Sequence, residues 1–328
     1  MRRKDLMLFA VCLGIMALVA FLAVPAQAKT EYISIGTGGT GGVYYPYGGG
    51  LAEIWTKYVK GVKAVAEVTG ASVENVKYAD RGETVIGEAM NDVVYQAYKG
   101  MGKFKKPKKI YTMFCMYPNL FHVVALKKLG LKSIYDVKGK RVSIGSPGSG
   151  TAYMTNLVLG ALGIPTNSFK VYRLSFNENA NALKDGTIDI GVWCVAAPTS
   201  SIMDLATTHP IDILNWKKED MAKVQKKYPF YSPYVIPKGT YKGVDYDVHT
   251  LSVWNSVVCW QKLPEDLVYR LVKAVYEHRD YLQKIHPFAR FTTPENTLKQ
   301  AVAPLHPGTV KYFKEIGLKI PARLMPKK

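Results

Sequence analysis

The sequence predicts an α/β fold built as two similar lobes, and three observations carry that expectation. Strand-like and helix-like segments alternate along most of the chain. A unit of strand, glycine-rich loop and helix occurs twice, about 110 residues apart. The composition, 48% apolar and 21% charged over 328 residues, supplies real cores.

The N-terminus reads as an export signal. Met1-Arg2-Arg3-Lys4 is a positive start, Leu6 to Val24 is almost wholly apolar, and Ala26-Gln27-Ala28 offers a small-x-small cleavage site. A retained anchor is the alternative, since about 18 apolar residues can span a bilayer. The Ala-x-Ala site favours cleavage after Ala28 and a periplasmic destination. Of the 328 residues, 28 are then removed and 300 remain, enough for two domains. The signal carries a net +2 of the chain's +19, leaving +17. Nucleic acid is one partner for such a charge. The lysines are scattered, however, and the densest run (Lys103, Lys105, Lys106, Lys108, Lys109) is broken by Pro107. That pattern suits a solvated loop, and no nucleic-acid partner is expected. Three cysteines remain (Cys115, Cys194, Cys259), so at most one disulfide can form, and reduced buried thiols are the simpler expectation.

The first unit runs from the strand Tyr32-Ile33-Ser34-Ile35 through the loop beginning at Gly36 into a helix over 48–59. Such a loop leaves backbone N–H groups free at a helix start, where the helix dipole favours negative charge. Strands are expected over 63–69, 109–116 and 121–126, the last two separated by Pro118-Asn119, and a helix from about Val73. The second unit is the strand 140–144, the loop Gly145-Ser146-Pro147-Gly148-Ser149-Gly150-Thr151, and the helix 152–162. Further strands are expected at 171–174, 188–194, 212–214 and 251–260, with an ordered excursion over 223–246 and a long helix over 264–285. In doubly wound sheets, ligands bind beyond the carboxyl ends of the strands. Two such ends facing across a cleft would grip one small anion from both sides, as a hinged receptor does.

The candidate residues follow from this geometry, each beside a plainer reading. Thr37, Gly38, Gly39 and Thr40 can offer N–H groups to a carboxylate, or form only a tight turn. Tyr44 and Tyr45 can cap the site or pack in the core. Asn75 is a ligand contact or a helix cap. Asn91 and Asp92 can accept an ammonium group or cap a helix. Ser146, Gly148, Ser149, Gly150 and Thr151 combine hydroxyls with helix-start N–H groups, against ordinary capping. Trp193 can wall the pocket or belong to the core. Arg81 and Arg173 are candidate carboxylate forks, against plain surface positions.

Several chemistries find no support. Gly36-x-Gly38-x-x-Gly41 matches the letters of a dinucleotide fingerprint, which leaves an exported dinucleotide-dependent oxidoreductase as the alternative function. Its acidic partner should lie about 20 residues on, whereas Glu67 is 26 beyond Gly41, and Tyr44-Tyr45-Pro46-Tyr47 interrupts the helix start. The six histidines lack metal-like spacing, Gly148-Ser149-Gly150 is no nucleophile elbow, and there is no Lys-Ser/Thr phosphate loop. No enzyme activity, metal or cofactor is expected.

The chain resembles the TAXI-type solute receptors of TRAP transporters. The resemblance rests on Ile35-Gly36-Thr37-Gly38-Gly39 with Tyr44-Tyr45-Pro46, on Gly70-Ala71-Ser72-Val73-Glu74-Asn75, on Gly148-Ser149-Gly150-Thr151, and on Leu174-Ser175-Phe176. It continues through Ala182-Leu183-Lys184-Asp185-Gly186, Ala197-Pro198-Thr199, Leu263-Pro264-Glu265-Asp266-Leu267 and Leu305-His306-Pro307-Gly308. The order of these motifs is more specific than any one of them. The resemblance implies a two-lobed periplasmic-binding-protein fold, type II-like, with hinge strands and a central ligand cleft. It implies lobe 1 from residues 29–124 plus 250–328 and lobe 2 from 125–249. It further implies a small anionic solute (glutamate, glutamine or a dicarboxylate) and delivery to TRAP-type permease subunits. Ala197 and Pro198, within one of its motifs, join the candidate set. Relatives often carry Gln before the Asn/Ser-Asp pair, where this chain has Met90.

Overall fold

The fold was analysed in a computed structural model, which describes residues 30–83 and 85–326. The expected export signal lies outside the described residues.

The first half places β1 (Glu31–Gly36), α1 (Tyr44–Tyr58), β2 (Val62–Glu67), α2 (Ser72–Arg81), β3 (Ile86–Met90) and α3 (Asn91–Lys99) in sequence. A 17-residue strand, β4 (Ile110–Leu126), then leads into the second half. There follow β5 (Arg141–Ser143), α4 (Gly150–Ala161), β6 (Lys170–Tyr172), α5 (Phe176–Lys184), β7 (Ile190–Val195), α6 (Ser200–Thr208), β8 (Ile211–Ile213), α7 (Lys218–Lys227) and β9 (Ser232–Ile236). The chain returns along β10 (Val248–Trp260) and ends in α8 (Glu265–Glu277), α9 (Arg279–Ile285), α10 (Pro294–Gln300) and α11 (Pro307–Glu315). From Tyr32 onward these elements form one compact unit.

One sheet runs through both halves in the order β2-β1-β3-β10-β4-β7-β5-β6, with β8 on β4 and β9 on β10. The outer pairs β1–β3, β5–β7 and β5–β6 are parallel, as expected of strand–helix–strand units. The two long strands are antiparallel to their neighbours and shared. β4 pairs with β10 through residues 110–120 and with β7 and β8 through 120–126. β10 pairs with β3 and β4 at one end and with β9 at the other. The mixed α/β fold expected from the sequence, with its two halves joined by crossing strands, is the one observed.

Two expectations are corrected, over β4 and over 264–285, and a third, the ordered excursion, is given its elements. Pro118-Asn119 does not interrupt β4. Trp254 pairs with Pro118 but Ser256 with Cys115, so Met116 and Tyr117 together oppose Asn255. This bulge absorbs the missing proline N–H, and Asn255 Nδ2 donates to the Tyr117 carbonyl at 2.6 Å. The expected helix over 264–285 is two helices, broken where His278 leaves helical geometry. The 223–246 excursion contains the end of α7 and all of β9.

Apolar faces explain why the helices sit where they do. Tyr47, Leu51 and Trp55 of α1 are buried beneath α8, and Trp55 Nε1 donates to the Leu271 carbonyl at 3.0 Å. A second core gathers Val76, Val94, Phe121, Met154, Val158 and Trp216. Cys115, Cys194 and Cys259 are buried free thiols.

Candidate functional site

A cavity of about 50 Å³ lies at the carboxyl ends of the strands. Its wall takes one stretch from each strand–helix junction: Gly38, Gly39, Gly42, Val43 and Tyr44 after β1; Thr69 to Ser72 after β2; Met90 at the end of β3. The second half contributes Ser146, Ser149, Gly150 and Thr151 after β5, Ser175 and Phe176 after β6, and Cys194 and Val195 from β7. Asn119 of β4 completes it.

Five of these positions are helix N-caps: Val43 for α1, Ala71 for α2, Met90 for α3, Ser149 for α4 and Ser175 for α5. Each helix brings its positive dipole end to one place, with part of the first-turn N–H set already taken: Val73 and Glu74 donate to the Gly148 carbonyl, and Ala152 to Ser149 Oγ. No Lys, Arg, His, Asp or Glu lines the cavity. Its chemistry is therefore backbone N–H, hydroxyl, one carboxamide and an apolar face of Met90, Phe176, Cys194 and Val195. Burial pushes the Cys194 thiol and the Tyr44 phenol up, so both are neutral at physiological pH, the phenol donating to Asn255 Oδ1 at 2.6 Å and the thiol to Met154 Sδ at 3.6 Å.

Local sequence accounts for these junctions. Ser175 and Glu178 form a reciprocal capping box, the sequence pattern of a helix start. Ser149 Oγ accepts from Ala152 N–H at 3.0 Å and donates to the Ser146 carbonyl at 2.7 Å. Gly145 and Gly148 hold left-handed backbone, with φ of +100° and +78°, which the second loop needs to turn into α4. A Cβ at Gly150 would collide with Met90 Sδ and Ser72 Oγ, so only glycine lets α4 approach the first half so closely.

Of the residues expected from the sequence, Gly38, Gly39, Tyr44, Ser146, Ser149, Gly150 and Thr151 line the cavity. The others sit elsewhere. Thr37 is buried and its hydroxyl donates to the Glu67 carbonyl. Asn75 is fully buried, and its Nδ2 donates to the carbonyls of Gly36, Thr37 and Glu88, tying β1 to β3 beneath the cavity. Asn91 accepts from Ser256 and donates to the Gln300 carbonyl. Asp92 accepts from the Tyr231 hydroxyl at 2.7 Å, and burial pushes its carboxyl up to about 7. Trp193 packs on Phe176 and donates to Ser201 at 3.1 Å, one layer behind the wall. Tyr45 is 37% exposed. Arg81 pairs with Glu83 at the surface, and Arg173 does not reach the cavity.

Thr40, Gly148, Ala197 and Pro198 serve the seam between the halves. Asn177 Nδ2 donates to Thr40 Oγ1 at 3.2 Å, and the Gly148 carbonyl accepts from Val73 and Glu74 N–H. The Gly41 carbonyl accepts from the hydroxyls of Thr199, Ser200 and Ser201, which directly follow Ala197-Pro198. Pro198, after a cis peptide, offers its carbonyl to His286 at 2.9 Å.

Sequence reasoning missed Thr69, Ser72, Asn119, Ser175, Phe176, Cys194 and Val195 as cavity residues. The signal that would have found most of them is their place directly after, or at the end of, a strand.

A sheet shared by two α/β halves, with a cavity at its carboxyl edge, defines the fold class of the two-lobed binding proteins. The chain belongs to the NMT1-like family, whose model matches residues 35–317. Among solved structures it is similar to PhnD1 from Prochlorococcus marinus in complex with methylphosphonate. That match has a TM-score of 0.54 at 11% identity and covers 88% of this chain and 99% of that one. It is also similar to XAC2383 from Xanthomonas citri bound to ATP, with a TM-score of 0.49, 11% identity, and 87% and 99% covered. A third is the periplasmic aliphatic sulphonate binding protein SsuA from Escherichia coli, at 0.44, 13%, and 89% and 94%. Among the described residues no helix is long and apolar enough to cross a membrane.

Proposed function

We propose that this protein is an extracytoplasmic receptor that encloses a small organic anion between its two halves and hands it to a membrane transporter. The observation that carries the reading is the convergence of five helix N-termini on one cavity whose lining holds no Lys, Arg, His, Asp or Glu. Such an arrangement favours negative charge through dipoles and N–H groups. The moving bodies in this reading are residues 29–124 plus 250–328 and residues 125–249, joined by β4 and β10. The partner is a membrane permease, of the TRAP type on the resemblance of the motifs.

The cavity bears on the solute. Glutamate and glutamine carry an ammonium group, which usually requires a carboxylate, and a dicarboxylate brings a second charge with no cation to meet it. The lining provides neither partner, so a single oxyanion suits it better than the expected amino acids or dicarboxylates. The dinucleotide reading is disfavoured because no acidic side chain lines the cavity to meet a ribose hydroxyl.

The test is a thermal-shift screen of monocarboxylates, dicarboxylates, amino acids, sulfonates, phosphonates and NAD. Stabilisation by at least one small anion and not by NAD is expected. A shift with NAD alone, or with no anion of any class, overturns the receptor reading.

A further inference from the structure

We infer that the solute is a small monoanion carrying one hydrogen-bond donor close to its charged head, and that Asn119 is the residue that reads this donor. The inference rests on the receptor reading and names the ligand class of the same cavity. Asn119 stands on β4 where the strand passes from one half of the sheet to the other: Asn119 pairs with Val253, and Leu120 with both Ser252 and Val195. Its side chain lines the cavity, the residue is only 3% exposed, and its Oδ1 is buried without a hydrogen-bond partner. A buried carbonyl oxygen left without a donor carries a desolvation penalty, so the enclosed solute must bring an N–H or O–H to it.

The remaining wall fixes the rest of the ligand. The helix N-termini of α1, α2, α4 and α5 supply N–H groups and hydroxyls for one oxyanion. Met90, Phe176 and Val195 leave apolar surface for a short carbon body. A charged ammonium would meet Asn119 without any carboxylate to neutralise it, so a neutral hydroxyl is the favoured donor. A carboxylate and a sulfonate head share this oxyanion chemistry, and the experiment separates them.

The experiment is calorimetry on the purified protein with matched pairs that differ by one hydroxyl: lactate against propionate, and 2-hydroxyethanesulfonate against ethanesulfonate. L-Alanine and succinate serve as the zwitterion and dicarboxylate controls. In at least one pair the hydroxy acid should bind tenfold or more tighter than its partner, and tighter than both controls. Asn119→Ala should bring that pair within about threefold of each other while the weaker member's affinity changes little. Equal binding within both pairs of the unmodified protein overturns the inference, as does tighter binding of alanine or succinate. So does an Asn119→Ala ratio that stays at its original value. If none of these compounds binds, or if they bind without preference for the hydroxyl, the Asn119 inference falls; the receptor reading falls only when the wider anion screen is also empty.

Discussion

Asp92 and Glu88 are carboxyl groups that the fold keeps from water, and both are held above their ordinary range by burial. Glu88 has no partner for either oxygen and lies among the phenols of Tyr44, Tyr47 and Tyr117. Asp92 has Tyr231 and its own helix start. For such groups the folded state keeps the proton to higher pH than the unfolded chain does. Their contribution is therefore fully present below the unfolded value, near 4, and is lost as pH rises through the folded one, about 7 for Asp92. Asp92 should contribute a loss of about 1.4 kcal/mol per pH unit across this window, against an opposite slope from buried His122 and His306, both pushed down to about 4. Asp92→Asn, which mimics the neutral acid, should remove this downward contribution, so that its melting temperature climbs relative to the parent's between about pH 4 and 7. An unaltered profile would mean that Asp92 ionises in the folded protein as freely as in the unfolded chain.

At the scale of the elements, the junctions after the strands carry both the fold and the site. Asn75 binds three carbonyls across two strands and one loop, so Asn75→Ala should cost about 3 kcal/mol in denaturant unfolding. A loss below about 0.5 kcal/mol would show that water replaces it. Ser149→Ala removes the side-chain cap of α4 and should cost about 1 kcal/mol, with weaker anion binding by the same helix. Unchanged stability and affinity would mean that the cap is dispensable. The sequence made most of these elements legible, because glycine loops, capping residues and apolar periodicity are local. It also brought seven of its candidates to the cavity. It failed where a residue's role depends on what another segment presents. Asn75 has the look of a cap but faces three carbonyls. Asn119 follows a proline and reads as a break, because the β4 bulge beside Pro118 is visible only against its partner β10, more than a hundred residues away. Ser72, Ser175 and Val195 were recoverable, had the rule for strand carboxyl ends been applied to every strand and not only to the two glycine loops.

For the molecule as a whole, closure rests on few contacts at the seam. The Gly41 carbonyl gathers three hydroxyls from the second half, and a Cβ at Gly41 would collide with the Asn177 side chain. Gly41→Ala should therefore leave circular dichroism unchanged, increase the radius of gyration in X-ray scattering, and weaken anion binding about tenfold or more. A variant that is as compact as the parent and binds as tightly would show that Asn177 moves aside. The overall sheet order, unlike the local elements, was only partly legible. The resemblance implied hinge strands, but the continuity of β4 through Pro118 had to be seen.

That continuity reaches beyond ligand binding. Because β4 supplies backbone partners to β10, β7 and β8 in turn, no line can be drawn through the sheet without cutting its hydrogen bonds. The two halves should therefore unfold together and not one at a time. Its central amides, near Phe121 and Val123, should be among the slowest in the protein to exchange with deuterated solvent, and should be released only when the entire chain opens. In the receptor reading the strand that would serve as the axle of closure is thus also the timekeeper of global unfolding.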